Sequence, residues 1–69
     1  MNDQRELVLE LMADAWRGLD NGNRMDVIYD IFEGDYTLAI EALMGSTTAA
    51  ASPVYAEAKA LLDALQIAA

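Results

Sequence analysis

Apolar residues recur along residues 4–19 at intervals that predict a long amphipathic helix. The positions that share the i, i+3, i+4, i+7, i+8, i+11 pattern are Val8, Leu11, Met12, Ala15, Trp16 and Leu19. Asp3 and Glu6 have the spacing of a capping box, which predicts where this helix starts. Leu7 and Leu9 widen the apolar stripe beyond what one neighbouring helix covers, so both are candidate residues for a dimer or partner interface.

A shorter second helix is predicted over residues 24–33. The preceding Asp20-Asn21-Gly22-Asn23 should end the first helix, because Gly and Asn tolerate the left-handed conformation, and Asn23 can cap the second. Many residues here favour strands, but the carboxylates keep a helical interval of i, i+4, i+7. They are Asp26, Asp30 and Glu33, and the apolar face predicted to pack inward is Met25, Ile28, Tyr29, Ile31 and Phe32.

A third helix is predicted over residues 36–44, between Gly34 and Gly45, with Asp35 as its cap. Its inward face has the spacing i, i+3, i+4, i+7 and consists of Tyr36, Ala39, Ile40 and Leu43. The ten residues from Gly34 to Leu43 resemble the turn and second helix of a tetratricopeptide repeat. No second copy occurs in the chain, so this resemblance implies a helical hairpin through Gly34 and not membership of the family.

A fourth helix is predicted over residues 53–66, after a connector at residues 46–51. The connector is rich in Ser, Thr and Ala, lacks periodicity and is predicted to be flexible, the one plausible hinge of the chain. Ser52 and Pro53 form a strong start signal, since proline lacks an N–H that a first helical turn leaves unpaired. The predicted inward face is Val54, Ala58, Leu61, Leu62 and Leu65, while Ala56, Ala60 and Ala64 form a second face that another helix could approach closely.

These patterns predict an all-α fold, with residues 1–69 forming one compact bundle of about four helices, two long and two short. A domain of about 60 residues buries only about 60% of the surface of its unfolded chain, so small folds need additional stabilisation. The chain has no Cys for disulfides and no Cys or His for a structural zinc. Association with another chain is the remaining source of stability, and the sequence predicts a homodimer or a tight heterocomplex through helix 1 or helix 4.

The formal net charge of −8 narrows the range of partners. Residues 1–44 contain ten carboxylates and three arginines, so the negative charge is concentrated in the first two thirds of the chain. Such a surface repels phosphate backbones and anionic lipids, which predicts no direct nucleic-acid or membrane binding but allows a basic protein surface. Polar first residues and the absence of a long apolar run predict a cytoplasmic protein.

Catalysis is not expected from these side chains. The possible hydroxyl nucleophiles are Ser46, Thr47, Thr48 and Ser52, and no His or Cys is present to act as a base or an alternative nucleophile. Neighbouring carboxylates such as Glu6 and Glu10 lack the convergent spacing of a calcium or magnesium site. The sequence therefore predicts a protein without enzymatic activity, metal or cofactor.

The function predicted is a small acidic adaptor or inhibitor that binds a larger protein through an apolar helix face bordered by carboxylates. Proteins of this size and charge are common among phage and mobile-element products. The acidic rim predicted to contact the partner consists of Asp20, Asp26, Asp30, Glu33 and Asp35, and the apolar contact residues are Leu7, Leu9, Trp16, Tyr29, Tyr36, Ala56, Ala60 and Ala64. Alternatives are a nucleic-acid mimic that occupies a basic groove, and a structural subunit or assembly chaperone. A solvated helix face for the acids and a core position for Trp16 remain the simpler interpretations.

Overall fold

Four α-helices and two short 3₁₀ turns make up the computed structural model, which describes the backbone of residues 4–68 and the side chains of residues 4–65. The helices are α1 Gln4–Ala15, α2 Asn21–Glu33, α3 Tyr36–Met44 and α4 Tyr55–Ala68, and the turns are Trp16–Gly18 and Ala49–Ala51. No strand occurs within this part of the chain. The predicted all-helical fold class is confirmed, and a radius of gyration of 11.0 Å shows that the fold is compact.

The third helix lies at the centre of the core. Ala39, Ile40 and Leu43 of α3 have no exposed surface, and α3 packs against each of the other three helices. The buried apolar core consists of Leu7, Val8, Leu11, Ala15, Leu19, Val27, Ala39, Ile40, Leu43, Ala49 and Ala58. The inward faces predicted for helices 1 and 3 are therefore confirmed. The predicted capping box cannot be compared, because Asp3 lies outside the described residues.

The first α-helix ends four residues earlier than predicted, at Ala15. A 3₁₀ turn follows, and Leu19 is extended, with φ −94° and ψ 143°. In a continued helix the Ala15 carbonyl would accept from the Leu19 N–H, but that N–H donates to the Trp16 carbonyl at 3.2 Å. The freed Asp14 and Ala15 carbonyls accept hydrogen bonds from side chains of residues 46–48 instead. Tertiary hydrogen bonds thus replace the last helical turn.

The 46–51 connector, predicted to be a flexible hinge, is partly buried and forms hydrogen bonds with the end of α1. The Ser46 hydroxyl donates to the Ala15 carbonyl and the Thr48 hydroxyl to the Asp14 carbonyl, each at 2.5 Å. The Thr48 N–H donates to Ser46 Oγ at 3.1 Å, which fixes the turn between them. Ala49, the first residue of the second 3₁₀ turn, is buried. The hydroxyl groups of this segment, whose composition is typical of a linker, therefore satisfy the carbonyl groups at the end of α1.

The second helix begins three residues earlier than predicted, because its cap is Asp20 and not Asn23. The Asp20 carboxylate accepts a hydrogen bond from the Asn23 N–H at 2.8 Å, so Asn21-Gly22-Asn23 form the first helical turn. Arg24 then joins this turn to the end of α1. Its Nε–H donates to the Trp16 carbonyl at 3.2 Å, and its guanidinium lies 5.4 Å from the centre of the Trp16 ring, a cation–π contact.

Gly34 closes α2 and starts the helical hairpin formed by α2 and α3. Its φ of 81° is left-handed, its N–H donates to the Ile31 carbonyl, and the Asp35 N–H donates to the Asp30 carbonyl at 2.8 Å. Asp35 occupies the capping position of α3, but its carboxylate forms no capping hydrogen bond, contrary to the prediction. The hairpin implied by the sequence is present.

The fourth helix begins at Tyr55, two residues later than predicted. Ser52 still acts as a start signal, because its hydroxyl oxygen accepts from the Val54 N–H at 3.2 Å and its carbonyl accepts from the Tyr55 N–H. Pro53 and Val54 form a turn between this cap and the helix. Ala58 is fully buried, whereas Val54, Leu61 and Leu62 are half-buried.

Candidate functional site

Four large apolar side chains of α2 face the solvent. They occur at positions i, i+3, i+4 and i+7, so they form one continuous line along the helix, which we call the α2 stripe: Met25, Ile28, Tyr29 and Phe32. Their exposed fractions range from 48% at Ile28 to 90% at Phe32. Single exposed apolar residues are common, but a contiguous group on one helix face is typical of an interaction site.

The inward face of α2 is formed by Val27 and Ile31, which corrects the predicted orientation of this helix. Val27 is fully buried and Ile31 is packed against the core, while Met25, Ile28 and Phe32, predicted to be inside, are exposed. The contact of Arg24 with Trp16 at one end of α2 and the tight turn at Gly34 at the other fix its rotation. In this orientation, the face of α2 that carries Val27 and Ile31 lies against the core.

An open groove of about 510 Å³ lies between α2 and α3, beside the α2 stripe. Its lining residues are Asn23, Asp26, Tyr29 and Asp30 from α2, and Leu38, Glu41, Ala42 and Gly45 from α3 and its end. Tyr29 belongs to both the stripe and this α2–α3 groove, so the two surfaces are continuous. Leu38, half exposed, adds an apolar surface from the opposite wall.

The α2–α3 groove is strongly negative. Asp26 and Asp30 contribute carboxylates from one wall and Glu41 from the other, and within residues 4–65 no Lys or Arg forms an ion pair with any of them. Partial burial, followed by the negative charges of Asp26 and Asp35, raises the pKa of the Asp30 carboxyl above its ordinary value. The negative charge of Asp30 is thus less stable here than on an isolated carboxyl, and a cation that approached it would stabilise it.

The acidic rim predicted from sequence is only partly brought together. The charges of Asp26 and Asp35 act directly on Asp30, so these three carboxylates are neighbours. Glu33 is exposed on α2 but does not line the groove. Asp20 has a different role, since its carboxylate caps α2 and does not line the groove either. Asp20 is therefore a structural residue.

The apolar residues predicted for an interface lie in four different environments. Leu7 is a core residue, with 5% of its surface exposed, which corrects its assignment to an interface. Trp16 and Tyr36 are half-buried and pack against the core. The exposed members of the predicted set that lie outside the α2–α3 groove are Leu9 on α1 and Ala56, Ala60 and Ala64 on α4. Of the predicted apolar set, Tyr29 alone lines the groove.

Four residues of this surface were missed or assigned to the core by sequence reasoning: Met25, Ile28, Phe32 and Leu38. A signal for them existed in α2, where six of the eight residues from 25 to 32 are apolar. That is more than the single stripe which a helix in a two-layer fold can bury. Glu41 was counted only as a part of the net charge, because nothing local shows that it faces Asp26 and Asp30 across a groove.

Comparisons with other proteins add no relative to this picture: the chain matches no protein-family model, no curated protein and no solved structure. Among the described residues, no group of three His, Cys, Asp or Glu side chains is arranged to hold a metal ion. No described helix has both the length and the apolar character required to cross a bilayer.

Substituting Asp30 with asparagine should stabilise the free protein at neutral pH. A folded-state pKa above the unfolded value of 3.8 means that the native state binds the proton more tightly, so stability falls as pH rises through that window. A like-charge pair four residues apart on a helix costs about 0.2–0.5 kcal/mol. For a domain of this size that corresponds to an increase in Tm of roughly 1–4 °C for Asp30→Asn.

Thermal unfolding followed by circular dichroism at pH 7 and pH 3 measures this effect. The gain should be present at pH 7 and disappear at pH 3, where the Asp30 carboxyl is protonated in both states. Asp63→Asn on α4 is the matched control, because Lys59 lies one turn before it and a charge is lost without relief of repulsion. Equal Tm changes for both variants would contradict the local origin of the effect.

Proposed function

We propose that this protein is a non-catalytic docking module that binds a larger protein through the α2 stripe and the carboxylates beside it. The observation that carries this proposal is the exposure of Met25, Ile28, Tyr29 and Phe32 together on one helix face. Aromatic side chains dominate the energetics of protein interfaces, and full burial of a large apolar side chain contributes about 1.5–3 kcal/mol.

The proposed partner is a different protein and not a second copy of this chain. The chain has twelve carboxylates and four basic residues, and Arg24 is already engaged by Trp16. Two copies joined through α2 would bring Asp26, Asp30 and Glu33 of each protomer toward the same interface, which is unfavourable. A homodimer would appear in sedimentation velocity as a sedimentation coefficient that rises with protein concentration. We expect a monomer at micromolar concentration.

A nucleic-acid mimic is a second candidate function, favoured by the proximity of Asp26, Asp30 and Asp35. Such a mimic would occupy the basic groove of a nucleic-acid-binding protein, with its carboxylates in the places of phosphates. The docking module is preferred because a phosphate backbone has no counterpart to the line of apolar side chains on α2. Competition separates the two: DNA or RNA should displace a mimic from its partner and should not displace the docking module.

Site-specific cross-linking in the native host tests the docking proposal. A benzophenone amino acid at position 32 keeps an aromatic group where Phe32 is 90% exposed, and should give one discrete adduct with a larger protein. The same amino acid at position 59, in place of the exposed Lys59 on α4, is the control and should not give that adduct. Identical adducts from both positions, or none from position 32, would reject docking through the α2 stripe.

A further inference from the structure

The α2–α3 groove is long enough to receive a short third helix. Its lining residues run from 23 to 30 on α2 and from 38 to 45 on α3 and its end, about 10 Å along each wall, and the side chains at i, i+4 and i+7 of a bound helix span a similar length. Ala42 and Gly45 lie on the α3 wall and have little or no side chain, so another backbone can approach closely there. An amphipathic helix laid in a groove between two helices is a common mode of peptide recognition.

The groove combines apolar and negative surface in a way that specifies the chemistry of its occupant. Leu38 and Tyr29 offer apolar contacts from opposite walls, and Asp26, Asp30 and Glu41 surround them with unpaired negative charge. A guanidinium or ammonium group is complementary to these carboxylates, and the Tyr29 ring can also accept a cation on its face. Raised proton affinity at Asp30 agrees with a site that lacks a positive group in the free protein.

We infer that the α2–α3 groove binds a basic amphipathic helix of the partner protein. Its apolar side chains would lie against Leu38 and Tyr29, and its Lys or Arg side chains against Asp26, Asp30 and Glu41. This inference rests on the proposed docking function and adds to it the chemistry of the partner segment. The continuity of the groove with the α2 stripe, through Tyr29, allows one partner surface to cover both.

Charge complementarity selects this occupant over the others. A second copy of the chain would present twelve carboxylates and four basic residues to a groove that is already negative. A nucleic acid or an anionic bilayer would be repelled for the same reason. A neutral or acidic helix would fill the apolar floor but leave the three carboxylates partly desolvated without partners.

A pair of synthetic helical peptides tests the inference on the full chain. Both have leucine at i, i+4 and i+7. One peptide has arginine at the flanking positions and the other has glutamate. Titration into the isotope-labelled protein, followed by amide chemical shifts, should show that the arginine peptide perturbs the groove at Leu38, Ala42 and Gly45. We expect it to bind at least about 10-fold more tightly than the glutamate peptide, and the difference to shrink in high salt.

Neutralising the groove provides the decisive variant. Asp26→Asn, Asp30→Asn and Glu41→Gln in one chain should weaken binding of the arginine peptide by at least about 10-fold and remove the preference over the glutamate peptide. The control changes the net charge equally elsewhere, through Glu10→Gln, Asp14→Asn and Asp63→Asn, and should bind the arginine peptide within about 2-fold of the native protein. Circular dichroism establishes that each variant is folded before its binding is compared.

The outcomes separate this inference from the docking proposal. Equal affinities for the two peptides, equal losses in the two variants, or shifts confined to the α2 stripe would overturn the groove assignment. The docking proposal would then depend only on whether position 32 gives a cross-linked adduct. If the groove binds the arginine peptide as expected but position 32 gives no adduct, the docking proposal fails and the groove assignment stands. If the chain self-associates through the groove as its concentration rises, the occupant of the groove is a second copy of the chain and the inference of a basic helix is wrong.

Discussion

Replacing Gly18 with alanine is expected to destabilise the fold by about 1–3 kcal/mol, the usual cost of forcing an extra carbon into a closely packed site. An added Cβ would lie 2.6 Å from Thr47 Oγ1 and 2.7 Å from the backbone nitrogen of Thr48, and it would also collide with Ser46 Oγ. These neighbours cannot simply move aside. The hydroxyls of Ser46 and Thr48 hold the two carbonyls that end α1, so relief of the clash breaks buried hydrogen bonds.

A loss of about 1–3 kcal/mol is a large share of the free energy of unfolding expected for a chain of this length. At about 0.05–0.15 kcal/mol per residue, 69 residues have roughly 3–10 kcal/mol in total. Gly22→Ala is the matched control, because the nearest atom to its added carbon is Asp20 Oδ1 at an ordinary 3.6 Å and the site lies in a helical turn. That change should be neutral or stabilising by up to about 1 kcal/mol.

Urea unfolding followed by circular dichroism measures both variants. The midpoint should fall for Gly18→Ala and stay level or rise for Gly22→Ala. If Gly18→Ala unfolds at the midpoint of the native protein, the 46–51 segment moves freely and is the hinge that its composition suggests. The glycine experiment therefore also tests whether residues 46–51 are held in place or move as a hinge.

The inward faces of α1 and α3 could be predicted because their apolar residues keep the helical spacing i, i+3, i+4, i+7 and most of their other residues are polar or small. The end of α1 could not, since the groups that replace its last turn lie 31 and 34 residues away in the sequence. Residues 20–23 were ambiguous for a local reason: Asp20 and Asn23 are both good caps, and Gly22 favours a break. The structure has Asp20 as the cap, together with the contact of Arg24 with Trp16, which joins residues eight apart in the sequence.

For the candidate site too, the sequence predicts local features but not those that depend on tertiary packing. The sequence predicts a surplus of apolar surface, but its pattern places that surplus on helices 1 and 4. Leu7 is absorbed by the core because α3 and its neighbours cover that side of α1. The surplus appears on α2, where apolar residues surround most of the helix and the rotation is set by contacts at its two ends. Periodicity alone cannot choose between two apolar faces.

Substituting serine for both Met25 and Phe32 is expected to remove partner binding while leaving the fold intact. These residues stand at the two ends of the α2 stripe, with exposed fractions of 52% and 90%, so their loss should change stability by no more than about 0.5–1 kcal/mol. In a complex they would be buried against the partner, where truncating a hot-spot residue costs about 2 kcal/mol or more. A loss of at least about 30-fold in affinity follows.

The measurement is the Kd for the protein that cross-links at position 32, compared with Leu9→Ser and Leu65→Ser combined in one control chain. Leu9 and Leu65 are exposed by 47% and 40% on α1 and α4, the two helices whose sequence patterns first suggested an interface. The control removes exposed apolar surface from two other helices, so non-specific adhesion would weaken in both variants. A larger loss in the control would move the docking surface back to α1 and α4, whereas a loss confined to Met25 and Phe32 assigns it to α2.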